Sequence, residues 1–380
     1  WMGVAYFGLT RVEVAPFFTV LTLDFYLSYL TFSLICPICH SKISSKMKFK
    51  ILLLILISFP PLSKQEKVLL TTGYRGSTDI HYTKYSEVID LQNEDSKCDD
   101  LQDYALLLNG AYGGLFHDSL PIICGGSTVN LTVSDECYIL GQQEPLVKMS
   151  QARSFGSAVM LNSSAMLITG GTFSLNEDFT KTDILTVEKD NFKASIVPGP
   201  ELEPTRKVYG NCIIKIDQDR ILITGGLTSS GPMEYASNET FIVNVFSGQW
   251  TTGPKMNHPR GYHGCTKIYD NSKQEDIFVV VGGNTGQDYV NLRSVEFLDA
   301  SLTEWIEGPA LPIALEGHTI LSNEDGVYAF GGYSQTFSNK IFHMECDIEC
   351  KWTEMKQKLK YPRDFMVGMF IPEEMTSCHD

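Results

Sequence analysis

Five times along the chain an apolar run stops at two adjacent glycines: "PIICGGS" (Gly125, Gly126), "AMLITGGT" (Gly170, Gly171), "RILITGGL" (Gly225, Gly226), "FVVVGGN" (Gly282, Gly283) and "VYAFGGY" (Gly331, Gly332). A weaker copy, "VLLTTGY", ends at Gly73. The starts at 73, 125, 170, 225, 282 and 331 are 52, 45, 55, 57 and 49 residues apart. Self-similarity at such a period marks an array whose units bury their apolar faces only against one another. Runs such as "FVVV" are apolar on consecutive residues, which predicts strands covered on both faces. A glycine closing such a strand has no β-carbon, so another backbone can approach closely and φ can turn positive. Fully burying each Val, Leu or Ile contributes roughly 1.5–3 kcal/mol, which a lone unit cannot collect.

The units share more than glycines. Three carry a Trp, turn and Pro-Arg frame: "GQWTTGPKMNHPRGYHG" (Trp250, Arg260), "TEWIEGPALPIALEGH" (Trp305) and "CKWTEMKQKLKYPRDFM" (Trp352, Arg363). Two more, "FKASIVPGPELEPTRKVYGN" and "QQEPLVKMSQARSFGS", keep the frame without tryptophan. The order is apolar strand, Gly-Gly, loop, second strand, third strand at the Trp, turn, fourth strand. Over residues 67–372 this resembles the kelch-repeat family of β-propellers. The resemblance implies an all-β, six-bladed propeller of four-stranded antiparallel blades. The departures are Thr72-Gly73 in the first unit, Leu315 where other units have Arg, and the missing tryptophans. The array ends in "RDFMVGMFIP" with no Gly-Gly strand after it, so residues 366–371 are expected to supply the innermost strand of the blade begun by residues 68–72, closing the ring and removing sheet edges.

Residues 47–63, "MKFKILLLILISFPPLS", have a basic start, a short apolar run and a Pro/Ser exit, the layout of a secretory signal. The apolar run is far shorter than the roughly 20 residues that span a bilayer. Residues 1–46 read as translated leader, against a rival reading as a membrane segment, and "CPICH" within them matches a haem-attachment pattern with no domain to enclose a haem. The expected mature chain is then a propeller over 64–372 and a tail over 373–380, secreted, monomeric and free of the membrane once the signal is removed. Residues 1–63 carry five basic and two acidic side chains of a chain at −15, leaving −18 on the remainder. That charge excludes a nucleic-acid footprint and favours basic partners. Eight cysteines follow the signal, an even number consistent with disulfides. The pairings considered are Cys346 with Cys350, Cys124 with Cys137, Cys212 with Cys265, and Cys98 with Cys378 as the residual pair. Glycosylation acceptors stand at Asn130, Asn162 and Asn238.

Chemistry is sparse. The histidines His81, His117, His258, His263, His318 and His343 are scattered over the units. His258 and His263 are an odd five residues apart, whereas ligands on one strand face need even spacing. No metal or cofactor is therefore expected, and no enzyme. No G-x-S-x-G or phosphate loop is present, and the acidic stretch 93–103 does not fit a calcium loop. The loops after the Gly-Gly strands remain, unequal in length and holding Tyr74, Phe173, Tyr235, Tyr289 and Tyr333. Loops on a rigid scaffold commonly carry recognition, and aromatics and Arg dominate binding hot spots. Tyr74, Arg75, Tyr289, Arg293 and Tyr333 are the expected patch for a protein or glycan ligand. The resemblance also allows two alternatives: a secreted carbohydrate-active or copper-radical oxidase, or an intracellular substrate adaptor if the chain is a fragment, although a BTB domain would not fit in 63 residues.

Overall fold

In the computed structural model the repeated strands assemble into six antiparallel sheets arranged as blades. The structure describes residues 66–75, 82–99, 101–171, 181–201, 209–230, 233–346 and 349–379. The expected leader and signal, together with His81 and Phe173, lie outside them. Blade 2 runs outward through Tyr112–Phe116, Leu120–Cys124, Glu136–Ile139 and Val147–Lys148. Blade 3 is Ser157–Asn162, Ala165–Thr169, Asp183–Val187 and Ala194–Pro198. Blade 4 is Cys212–Lys215, Arg220–Thr224, Thr240–Asn244 and Trp250–Thr252. Blade 5 is Gly264–Asp270, Glu275–Val281, Val295–Leu298 and Trp305–Glu307. Blade 6 is Thr319–Asn323, Gly326–Phe330, Lys340–Cys346 and Cys350–Lys358.

Blade 1 joins the two ends of the array. Its innermost strand is Val367–Ile371, paired antiparallel with Lys67–Thr71 in the register Lys67↔Ile371 to Thr71↔Val367, and Glu87–Asp90 follows outside. This is the closure that the unpartnered last strand implied. The chain then returns as Lys97–Cys98, which pairs with Cys378–His379 of the C-terminal segment. Lys67 Nζ holds that segment at the Glu373 and Thr376 carbonyls, 3.2 and 3.0 Å away.

Innermost strands touch in the cyclic order of blades 1, 2, 3, 4, 5, 6 and back to 1. Each junction holds its own apolar core, six in all. The consecutive apolar letters of the Gly-Gly strands are explained by this arrangement. In blade 5, Phe278 and Val280 face the core shared with blade 4, while Val279 and Val281 face the core shared with blade 6. Outer strands are tied similarly: Trp305 Nε1 donates to Pro254 O of blade 4 at 3.0 Å, and Trp352 Nε1 to Pro309 O of blade 5 at 2.9 Å. Trp250 packs instead on Phe241 of its own blade and stays 39% exposed.

The double glycine is an interblade staple. Gly226 N donates to Arg260 O of the next blade at 2.8 Å, and the same bond recurs from Gly126 to Arg153, Gly283 to Leu315 and Gly332 to Arg363. A β-carbon on Gly225 would lie 2.4 Å from that Arg260 oxygen. In blade 1, Gly73 N makes the bond to Leu108 O, and Thr72 takes the first place at φ 60°. Disulfides join Cys124 to Cys137 and Cys346 to Cys350 across paired strands, Cys212 to Cys265 between blades 4 and 5, and Cys98 to Cys378 at the ring closure.

Candidate ligand-binding face

Where each blade's innermost strand begins, one residue per blade meets the axis, and these residues alternate. Blades 1, 3 and 5 place Phe365, Phe155 and Tyr262 there; blades 2, 4 and 6 place Gly110, Gly210 and Gly317. The three rings pack edge to face, with centroids 5.0, 5.7 and 4.9 Å apart. A β-carbon at Gly110, Gly210 or Gly317 would strike Phe155, Tyr262 or Phe365 in turn. Their backbones form a belt of hydrogen bonds: Phe155 N to Gly110 O, Gly210 N to Phe155 O, Tyr262 N to Gly210 O, Gly317 N to Tyr262 O and Phe365 N to Gly317 O, at 2.7–2.9 Å. Beside this aromatic floor lies a cavity of about 130 Å³.

The alternation extends two residues back. Arg153, Arg260 and Arg363 are fully buried and bind Asp183, Glu296 and Glu87 of their own blades, and Leu108 and Leu315 fill the matching places in blades 2 and 6. A buried, multiply bonded guanidinium of this kind fixes the entry of the innermost strand. It is not available to a ligand. Leu315, which departs from the Arg pattern, is therefore one half of a two-blade alternation.

Between the arginine place and the axial place stand Asp364 in blade 1, Tyr209 in blade 4 and Glu316 in blade 6. Each pairs with the residue after its own blade's glycines: Asp364 with Tyr74, Tyr209 with Leu227, Glu316 with Tyr333. The loops thus start at the axis. Asn284 Nδ2 donates to Glu316, and the Tyr209 hydroxyl donates to Glu234 of the blade 4 loop. Burial pushes the Asp364 carboxyl well above its ordinary range, with the Glu316 charge adding to it. Burial also raises Glu316, against the Asn284 bond, with Glu234 adding to the rise. Burial holds His263 well below its usual pKa and His318 down at about 4, with the Arg260 charge contributing to both.

The five patch residues are brought together only in part. Tyr74 and Tyr333 both pack on Phe337, with centroids 5.2 and 5.1 Å away, joining blades 1 and 6. Tyr289 stands on the blade 5 loop, 71% exposed at φ 47°. Arg75 lies back over the Tyr361 ring at 4.5 Å, and Arg293 Nε donates to Leu311 O at 2.6 Å. Sequence reasoning passed over Glu234, Glu316 and Asp364, and over the axial rings. The signal that could have found them is the Arg-x-aromatic triplet of "RSF", "RGY" and "RDF", recurring every second blade. Histidine sites are separate: His117 bonds Val187 O, His258 bonds Glu307, and His343 stacks on Tyr328. Asp90 lies with Cys98 and Cys378, but those two sulfurs are bonded to each other.

No family model matches the chain. Kelch-like protein 41b of Danio rerio is 25% identical over 150 residues, 38% of this chain and 24% of that protein. Kelch-like protein 41a of Danio rerio is 29% identical over 32% of this chain and 20% of its own, and Kelch-like protein 41 of Homo sapiens is 25% identical over 34% and 21%. The matched region thus spans about a quarter or less of these curated relatives. The solved structure of YjhT aligns at a TM-score of 0.46 and 13% identity, over 57% of this chain and 68% of that one.

Proposed function

We propose, from the premise that this chain is a kelch-repeat β-propeller, that it is a protein-binding module acting through the face where the Gly-Gly loops leave the axis. The observation that carries this reading is Tyr289, a large aromatic side chain left 71% exposed at the rim of a mouth already walled by Tyr74, Tyr333 and Phe337. Side chains of this kind supply large contact area at small entropic cost. The rigid ring beneath supplies preorganisation.

The proposal extends to an extracellular setting. Four disulfides fit an oxidising compartment. Asn130 and Asn162 are exposed acceptors, whereas the Asn238 amide is half-buried and donates to Met256 O at 3.0 Å. That exposure supports Asn130 and Asn162, rather than Asn238, as the acceptors of this reading. Affinity capture by the purified protein, compared with Tyr289→Ala and Tyr333→Ala, tests the binding face. Reduced capture at an unchanged melting temperature is expected. Equal capture by all three proteins refutes the face.

A further inference from the structure

We propose that the channel mouth takes a basic side chain, lysine or arginine, of the partner protein, gripped by Glu234 and Glu316 with Asp364 behind them. This deepens the protein-binding reading and rests on it. Glu316 of blade 6 and Asp364 of blade 1 each stand one residue before the axial place, and Glu234 of the blade 4 loop reaches the same tier through the hydroxyl of Tyr209, which stands at the matching place in blade 4. None of the three carboxylates has a cationic partner among the described residues. The donors they do have, the Tyr209 hydroxyl and the Asn284 amide, are neutral. They orient the oxygens without bringing a positive charge to them.

A second observation points to a ligand independently of the acidity. Asp364 is 4% exposed, and its Oδ1 is buried with no hydrogen-bond partner. Its β-carbon would lie 3.2 Å from one on Gly317, which sets the side chain at the blade 1 and blade 6 junction beside Glu316. Buried polar atoms are ordinarily paired, because an unpaired one costs about 1–3 kcal/mol. A cation entering beside Asp364 and Glu316 supplies the missing donor and, by its charge, draws the raised carboxyls back to their ionised form. The available bases are turned elsewhere, Arg75 onto Tyr361 and Arg293 onto Leu311 O. The Tyr209 ring stands beside Glu234, to which its hydroxyl donates, and ring faces attract ammonium and guanidinium groups. The axial rings form a floor that stops an entering side chain at the mouth. The acidic net charge favours the approach of a basic surface.

The probes are two peptides, acetyl-Gly-Lys-Lys-Lys-Gly-amide and its counterpart with glutamate for lysine, titrated into the full propeller. Binding of the lysine peptide alone is expected, weakened at least about tenfold by Glu316→Gln and by Asp364→Asn. If Asp364→Asn fails to fold, Glu234→Gln takes its place. Unchanged binding by the Glu316→Gln protein overturns the proposal, as does equal binding of the glutamate peptide. A melting temperature raised by calcium chloride with no peptide bound overturns it too, assigning the carboxylates to a metal. Natural-partner capture lost in Tyr289→Ala but intact in Glu316→Gln defeats this inference and leaves the protein-binding reading standing. Capture unaffected by either defeats both.

Discussion

A glycine's importance in this ring is decided by what its absent β-carbon would meet. Gly225 and Gly248 both have positive φ, but Gly225 faces the Arg260 carbonyl at 2.4 Å, whereas Gly248 has nothing within 4 Å. Gly248→Ala should therefore cost only the left-handed strain, about 1–2 kcal/mol. Gly225→Ala should cost distinctly more, since the Gly226 to Arg260 staple must open as well; urea unfolding of the two variants makes the comparison. The buried histidines give a second prediction. With His318 depressed to about 4, the unfolded chain binds more protons than the folded one between about pH 6.5 and 4. Stability falls on acidification through that window, by on the order of 3 kcal/mol from this group. His318→Asn should flatten that slope, while the raised Asp364 and Glu316 act in the opposite sense in both proteins. An unchanged slope in a stability-against-pH series would contradict this. The glycine pairs were legible because they are adjacent letters. The histidine environment was not, since His318 lies against Gly282 of another blade.

Among the elements, the last strand has the most leverage. Val367–Ile371 provides the whole inner edge of blade 1, and Val367, Met369 and Ile371 are buried in a core shared with blade 2. Deleting residues 364–380 should unfold the entire domain, as followed by circular dichroism; a truncated protein with wild-type melting would rule the closure out. The pairing could be read from the sequence because one strand was missing at the start and one was left over at the end. The two-blade alternation is written in the Arg-x-aromatic triplets, but on a strand-by-strand reading it surfaces as an irregularity, Leu315 in an arginine place. Its meaning depends on large and small residues meeting at the axis, which a strand-by-strand reading does not supply.

At the level of the whole molecule, the disulfides differ in what they enclose. Cys98–Cys378 spans 280 residues, whereas Cys346–Cys350 spans 4. The chain-entropy account gives roughly 6 and roughly 2 kcal/mol for loops of these sizes. Replacing the first pair by serine should lower the melting temperature more than replacing the second, measured by calorimetry under identical buffer. The count of six blades was legible from the six glycine starts. The acidic mouth was not, because Glu234, Glu316 and Asp364 come from three separate repeats, and only ring topology gathers them.

Ring closure by the final strand also orders events during synthesis. Lys67–Thr71 leaves the ribosome before all the other blades and must wait, one flank bare, until Val367–Ile371 is made. Five blades can zip as they emerge, but the ring stays open, and vulnerable to pairing with a neighbour's strand, until that closing strand has been made.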